Sequence, residues 1–181
     1  AGAEPVGMLL TVLLPESVEE ADIRNMMEEV ENACHQLNIQ VMGGHTEVTR
    51  AVNQPLISVT GVGKAKADRI ITTSGARPGQ DVVITKWIGI EGTSIIAKEK
   101  EEELMKRFPA SFLEAAKEMS NLLSVVPEGR IAAQMGATAM HDVTEGGIYG
   151  ALWEMAEASG VGLEIDLKAI PIRQETVELC E

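Results

Sequence analysis

"MHDVTEGGIYGALWEMA", Met140 to Ala156, passes from one backbone period to another within a few residues. Ala137 to Val143 reads as a short strand. Behind it Ile148, Ala151, Leu152, Met155 and Ala156 fall at helical spacing, with Gly160 as the stop. A strand that turns directly into a helix is the repeating unit of α/β architecture, so the chain is expected to alternate the two. Thr144 is placed as the helix N-cap, and Gly146 and Gly147 lack the Cβ atoms that would hold a ligand away from the backbone. The first amides of a helix have no partner inside it and lie at the positive end of its dipole, so this junction suits a phosphate or another anion. The same letters also spell a tight turn with no ligand.

"VMGGHTEVT", Val41 to Thr49, has related ingredients in another order. Gly43 and Gly44 permit positive φ, Thr46 offers a hydroxyl, and Glu47 offers carboxylate oxygen to magnesium. A bulged hairpin with an exposed glutamate is the competing reading. "GIEGTS", Gly89 to Ser94, is a third glycine-bearing stretch, read like the first as a strand-to-helix junction. His45 and His141 are candidate general bases because imidazole titrates near neutrality, although a histidine beside a turn more commonly has a structural role. No Ser/His/Asp or Cys/His set stands out. Cys34 and His35 are neighbours on one helix, so their side chains diverge by about 100°.

Working outward, Val6 to Leu14 is strand-like, and Ser17 with Glu20 forms a capping box. Ile23, Met26, Met27, Val30, Ala33, Cys34 and Leu37 then give a helix one apolar face. Strands are expected at Ile39–Met42 and Leu56–Val62, with a fourth at Arg69–Thr72. "SGARPGQ", Ser74 to Gln80, concentrates turn residues between apolar runs and is the candidate boundary, giving domains 1–73 and 74–181. The first is α+β in order. Beyond the boundary, Asp81–Gly89 reads as a buried strand, Ile95–Arg107 as a charged helix, and Phe112 to Leu123 as a second helical stripe led by Pro109. A short helix at Glu128–Met135, a half-exposed strand at Val161–Leu167 and the first turns of a helix in "RQETVELCE" complete an α/β second part.

With 181 residues, 45% of them apolar and 24% charged, the chain can bury a substantial core. A net charge of −13 and the lack of a Lys/Arg run with aromatics argue against nucleic acid as a partner. No apolar run approaches the roughly 20 residues that cross a bilayer, so no membrane partner and a cytoplasmic location are expected. Cys34 and Cys180 lack metal-type spacing and are expected as buried thiols. The chain opens without Met, already in a strand, and closes inside helix-like sequence. It is expected to be part of a longer protein.

"GAEP", "GGHT", "VTGVG", "GARPGQDVVITKWIGIEGTSIIA" and "HDVTEGGIYGALWEMAEASGVGLEID" occur in an order and spacing that resemble the aminoimidazole ribonucleotide (AIR) synthetase superfamily, over nearly the whole chain. The "IGIEGTSIIA" wording is most similar to the hydrogenase-maturation branch. The resemblance implies a two-domain AIR synthetase-like α/β architecture, present in part, that binds ATP with Mg2+ and activates a small substrate or a carbamoyl-type group by phosphoryl transfer. It implies a homodimer through the first domain, whose strands form a shared barrel, and a maturation protein as a further partner. By position, Gly44, His45 and Thr46 would lie at the nucleotide phosphates, Asp142, Thr144, Gly146 and Gly147 at a second phosphate site, and Glu47 at the metal. Family members usually carry an acid where this chain has His45. That departure leaves open a nucleotide- or metabolite-binding relative without turnover, and a purine-pathway AIR synthetase is the other alternative. The parent is expected to be an enzyme and the present stretch to be inactive by itself.

Overall fold

A computed structural model describes residues 2–181, which separate into two compact units, Gly2–Ile70 and Ile71–Glu181. In the first, alternate residues of β1 (Glu4–Leu14) decide what is inside. Leu10, Val12 and Leu14 are buried, and Val18 with Ile23, Met26 and Val30 of α1 (Glu20–Leu37) packs on them. A helical stripe of period 3.6 is thus laid along a strand row of period 2. Each such aliphatic side chain contributes roughly 2 kcal/mol by leaving water, which makes this row the main hold between helix and sheet.

The helix begins later than the capping box implies. Glu19 is the N-cap and makes no side-chain cap bond. Pro15 starts a turn closed by the Val18 amide on its carbonyl at 3.1 Å, and Ser17 falls inside that turn. Asn38, left-handed at φ 53°, ends the helix by donating its amide to the Cys34 and His35 carbonyls.

β2 (Gln40–Val48) runs parallel to β1 on one side, and β3 (Leu56–Lys64) runs antiparallel on the other, in the order β2-β1-β3. The double glycine is therefore neither a turn nor a hairpin: strand continues through it to Val48. Met42 is the extra residue of a bulge in β2, and Val6 of a bulge in β1. Gly44 is required by close approach. A Cβ there would stand 1.8 Å from the Leu10 carbonyl oxygen, at a φ of +145°. One helix covers the width of one strand, so Ile57 and Val59, opposite Val12 and Leu10, remain exposed. The expected fourth strand at Arg69–Thr72 is absent. A 3-10 turn at Ala67–Arg69 takes its place, closed by the Arg69 amide on the Lys66 carbonyl at 2.9 Å.

The second unit holds α2 (Ile90–Glu99), α3 (Glu101–Leu104), α4 (Ala110–Lys117), α5 (Val126–Gln134), α6 (Gly147–Ser159) and α7 (Gln174–Cys180). Ala97, Leu104, Leu113, Ala116 and Met119 are its buried apolar centre. The charged helix expected at Ile95–Arg107 starts earlier and breaks at Lys100, so that Glu101, Glu102 and Glu103 occupy the first turn of α3, where the dipole favours carboxylates. The strands expected at Asp81–Gly89, Ala137–Val143 and Val161–Leu167 do not form. Strand sequence needs a partner row, and the backbone bonds from these segments are isolated: Ile88 amide to Pro171 carbonyl at 2.9 Å, Met140 amide to Thr72 carbonyl at 3.0 Å, and the Ala137 and Val161 amides to the ends of the helices before them, on the Ala132 and Ala156 carbonyls. Lys86 at φ 60° interrupts the first. Cys34 is buried as expected, whereas Cys180 is exposed. Among the described residues no helix is long and apolar enough to cross a membrane.

Candidate functional site

At the start of α6, Gly146 rather than Thr144 is the N-cap, in the left-handed region at φ 75°, and Gly147 follows at φ 61°. The Thr144 side chain makes no cap bond. Its carbonyl instead accepts the Gly147 amide at 3.1 Å, while the Gly150 amide donates to the Gly146 carbonyl at 3.1 Å. Among the described residues the amides of Ile148 and Tyr149 have no protein partner. Among the described residues, apart from its chain neighbours and the backbone of its own helix, no atom lies within 4 Å of where a Cβ on Gly147 would stand, whereas one on Gly150 would be 3.0 Å from the Glu145 carbonyl oxygen. The turn is thus tight where it meets its own helix and open at Gly147. Asp142 and Thr144 are both exposed beside it.

His141 precedes this turn with its side chain 16% exposed. Its Nδ1 lies 2.6 Å from the Asp142 carbonyl oxygen and its Nε2 lies 2.7 Å from Oε2 of Glu154 on α6. Both ring nitrogens face acceptors, so both donate, and the hydrogen bond to Glu154 raises the ring's pKa above the ordinary imidazole value against the opposing effect of burial. The ring is thus engaged on both sides by protein acceptors, and neither nitrogen is turned toward open space as a general base requires.

Strand alternation divides the "GGHTE" stretch. Thr46 pairs with Val12 and lies on the α1 side of the sheet, whereas His45 and Glu47 pair with Thr11 and Leu13 and lie on the other. His45 Nε2 is 3.4 Å from Glu47 Oε2, with both side chains more than half exposed. Among the described residues no group of three or more His, Cys, Asp or Glu side chains could hold a metal. Glu47 is therefore a single carboxylate with an imidazole beside it. Such a pair fits an ion that also has nucleotide oxygens and water to bind, and does not make a closed protein cage.

At the third glycine stretch, Gly89 is the left-handed N-cap of α2 at φ 78°, and a Cβ there would stand 2.9 Å from Cγ2 of Thr176 on α7. Buried Thr93 donates its hydroxyl to the Gly89 carbonyl at 2.7 Å and bonds Oγ1 of Thr176 at 2.9 Å. This junction is packed against protein on the side where the α6 turn is open.

A polar tie that the sequence reading missed is Lys86. Its Nζ donates to the Leu122 carbonyl at 2.7 Å, to the Ser124 carbonyl and to Oε1 of Glu128 at 2.8 Å, and this hydrogen bond holds the Glu128 carboxyl below the usual carboxylate range. A lone lysine inside the apolar run "VVITKWIG" was the available signal, since an amine in such a run must find acceptors.

The profile described as AIR synthase related protein, C-terminal domain, matches residues 77–180, and that of the N-terminal domain matches residues 1–65. The chain belongs to the AIR synthase related protein family. Carbamoyl dehydratase HypE of Cupriavidus necator is 28% identical over 100% of this chain and 50% of its own length. Among solved structures, AaThiL complexed with AMPPCP and TMP is 25% identical with a TM-score of 0.80, covering 99% of this chain and 55% of that one. HypE in complex with ATP and the HypE-HypF complex share the fold, each at 19% identity, with TM-scores of 0.77 and 0.76, covering 99% of this chain and 52% and 57% of theirs. The chain spans about half the length of the curated relatives it matches.

Proposed function

We propose that the chain is part of an ATP- and magnesium-dependent enzyme that activates a small substrate or a carbamoyl-type group by phosphoryl transfer, most like a hydrogenase-maturation carbamoyl dehydratase. The observation that carries this reading is the pair of unpartnered amides, Ile148 and Tyr149, above the open Gly147 in a member of this family. Oriented amides at a helix start stabilise phosphate oxygens without reorganising, and phosphoryl transfer depends mainly on such positioning. The Mg2+ would be held by nucleotide oxygens with Glu47 as a protein carboxylate; it would neutralise charge on the phosphates. Asp142, Thr144, Gly146 and Gly147 are assigned to one phosphate position, and Gly44, His45 and Thr46 to another. Residues 1–73 and 74–181 are assigned as the two domains. Supporting context comes from the AMPPCP bound by AaThiL and from the HypE relative. Calorimetry with AMPPCP, with and without Mg2+, and ADP release with carbamoyl-bearing substrates test it. The absence of both binding and ADP would remove it.

A second reading, a nucleotide-binding relative without turnover, is favoured by His45, which faces Glu47 where family members carry an acid. Under it, His45→Asp raises the affinity for Mg-nucleotide. An unchanged affinity counts against it. Two further assignments accompany the main reading: a homodimer through the first unit, whose β2 and β3 are exposed along their whole length, and a maturation-protein partner, as in the HypE-HypF complex. Light scattering of the purified protein tests the dimer.

A further inference from the structure

Between Met140 and Gly147 the chain leaves one anchor and must arrive at another. Upstream it is pinned by the Met140 amide on the Thr72 carbonyl at 3.0 Å and by the Thr138 hydroxyl on Oε1 of Gln80 at 2.8 Å. Downstream it becomes α6. Among the described residues the side-chain tie from this stretch to α6 is His141 to Glu154, and the remaining bond is the Gly147 amide on the Thr144 carbonyl. Glu154 lies about two helical turns beyond Gly147, so the bond runs alongside the helix and fixes where the chain must reverse. The other nitrogen of the same ring holds the Asp142 carbonyl, which orients the next peptide.

We infer that His141, doubly protonated between Asp142 and Glu154, is a positioning residue that sets the Asp142–Gly147 turn and thereby aims the Ile148 and Tyr149 amides at the bound phosphate. The inference rests on the nucleotide reading proposed above and adds a residue outside that reading's contacts. Its chemistry is a matter of counting: two acceptors need two N–H groups, and a neutral imidazole has one. Loss of a proton turns one of the two bonds into a contact between lone pairs, and the turn loses a restraint. The titratable groups facing the ring are Glu154 from α6 and Asp142, whose Oδ1 is 3.6 Å from Nδ1; both favour the charged ring. Among the described residues no other side chain ties this stretch to α6.

The test is an amide NMR titration of the labelled protein between about pH 5.5 and about pH 9, with and without AMPPCP. Without nucleotide, the Gly146, Gly147, Ile148 and Tyr149 amides are expected to shift together with the His141 ring, at a midpoint above that of an ordinary imidazole. Glu154→Gln, whose amide oxygen still accepts, should lower that midpoint and keep the step. His141→Gln should abolish it while the amide signals of α2 and α4 stay in place, which separates a local effect from unfolding. With AMPPCP, affinity should weaken roughly tenfold above the midpoint, the size of one charge-assisted hydrogen bond lost from the turn. Turn amides that ignore the ring's titration, or an affinity that His141→Gln leaves with an unaltered pH profile, would overturn the inference. Amides that follow the ring but are unmoved by AMPPCP at any pH would keep the positioning and overturn the nucleotide reading alone.

Discussion

Gly43-Gly44 and Gly146-Gly147 look alike on paper and are glycines for opposite reasons. At Gly44 the missing side chain makes room for the protein itself: β1 is so close that a Cβ would overlap the Leu10 carbonyl. At Gly147 the missing side chain leaves nothing in contact, and unpartnered amides follow. Space filled by the fold explains the fold, whereas space left open beside bare donors is what a ligand can use. Gly89 lies between the two cases. Its Cβ would touch the methyl group of Thr176, a side-chain end that can move.

That ordering can be broken by three alanines. Gly44→Ala should cost more than about 4 kcal/mol, because β1 and β2 must part and φ is forbidden as well; chemical denaturation that shows less than half of this would mean β2 can detach freely. Gly89→Ala should cost about 2 kcal/mol, the sum of left-handed strain and a displaced Thr176 methyl, and Thr176→Ser in the same chain should recover part of it. Gly147→Ala should cost about 1 kcal/mol in stability, from φ alone, while weakening AMPPCP binding by calorimetry. If Gly147→Ala destabilises as much as Gly44→Ala, the open-space distinction fails. The smallest effect concerns pH. The raised pKa of His141 adds stability that is fully present below the ring's unfolded value and is lost as pH rises through its folded value. Because Glu154 is half exposed, the loss should stay under about 1 kcal/mol and disappear in His141→Gln.

What could be read in advance follows how local the physics is. The α1 stripe, Gly160 as a stop and the helix behind Gly147 were legible because helices close their own hydrogen bonds. Residues 81–89, 137–143 and 161–167 carry strand patterns but join no ladder among the described residues, since a ladder depends on a partner row that periodicity does not name. The glycines of β2 misled for the same reason: a close neighbouring strand and a turn both ask for glycine. At the α6 junction the helix was legible but the strand before it does not form, and the cap falls two residues later than Thr144, whose carbonyl is spent on Gly147. The two nitrogen partners of His141 lie 1 and 13 residues away, and the second shows itself only once α6 is folded.

The most direct measurement is a crystal structure of the protein grown with Mg-AMPPCP. The account predicts phosphate oxygens at about 2.9 Å from the Ile148 and Tyr149 nitrogens, with Gly147 beneath them. Nucleotide bound elsewhere while those two amides face water or a carbonyl would contradict it.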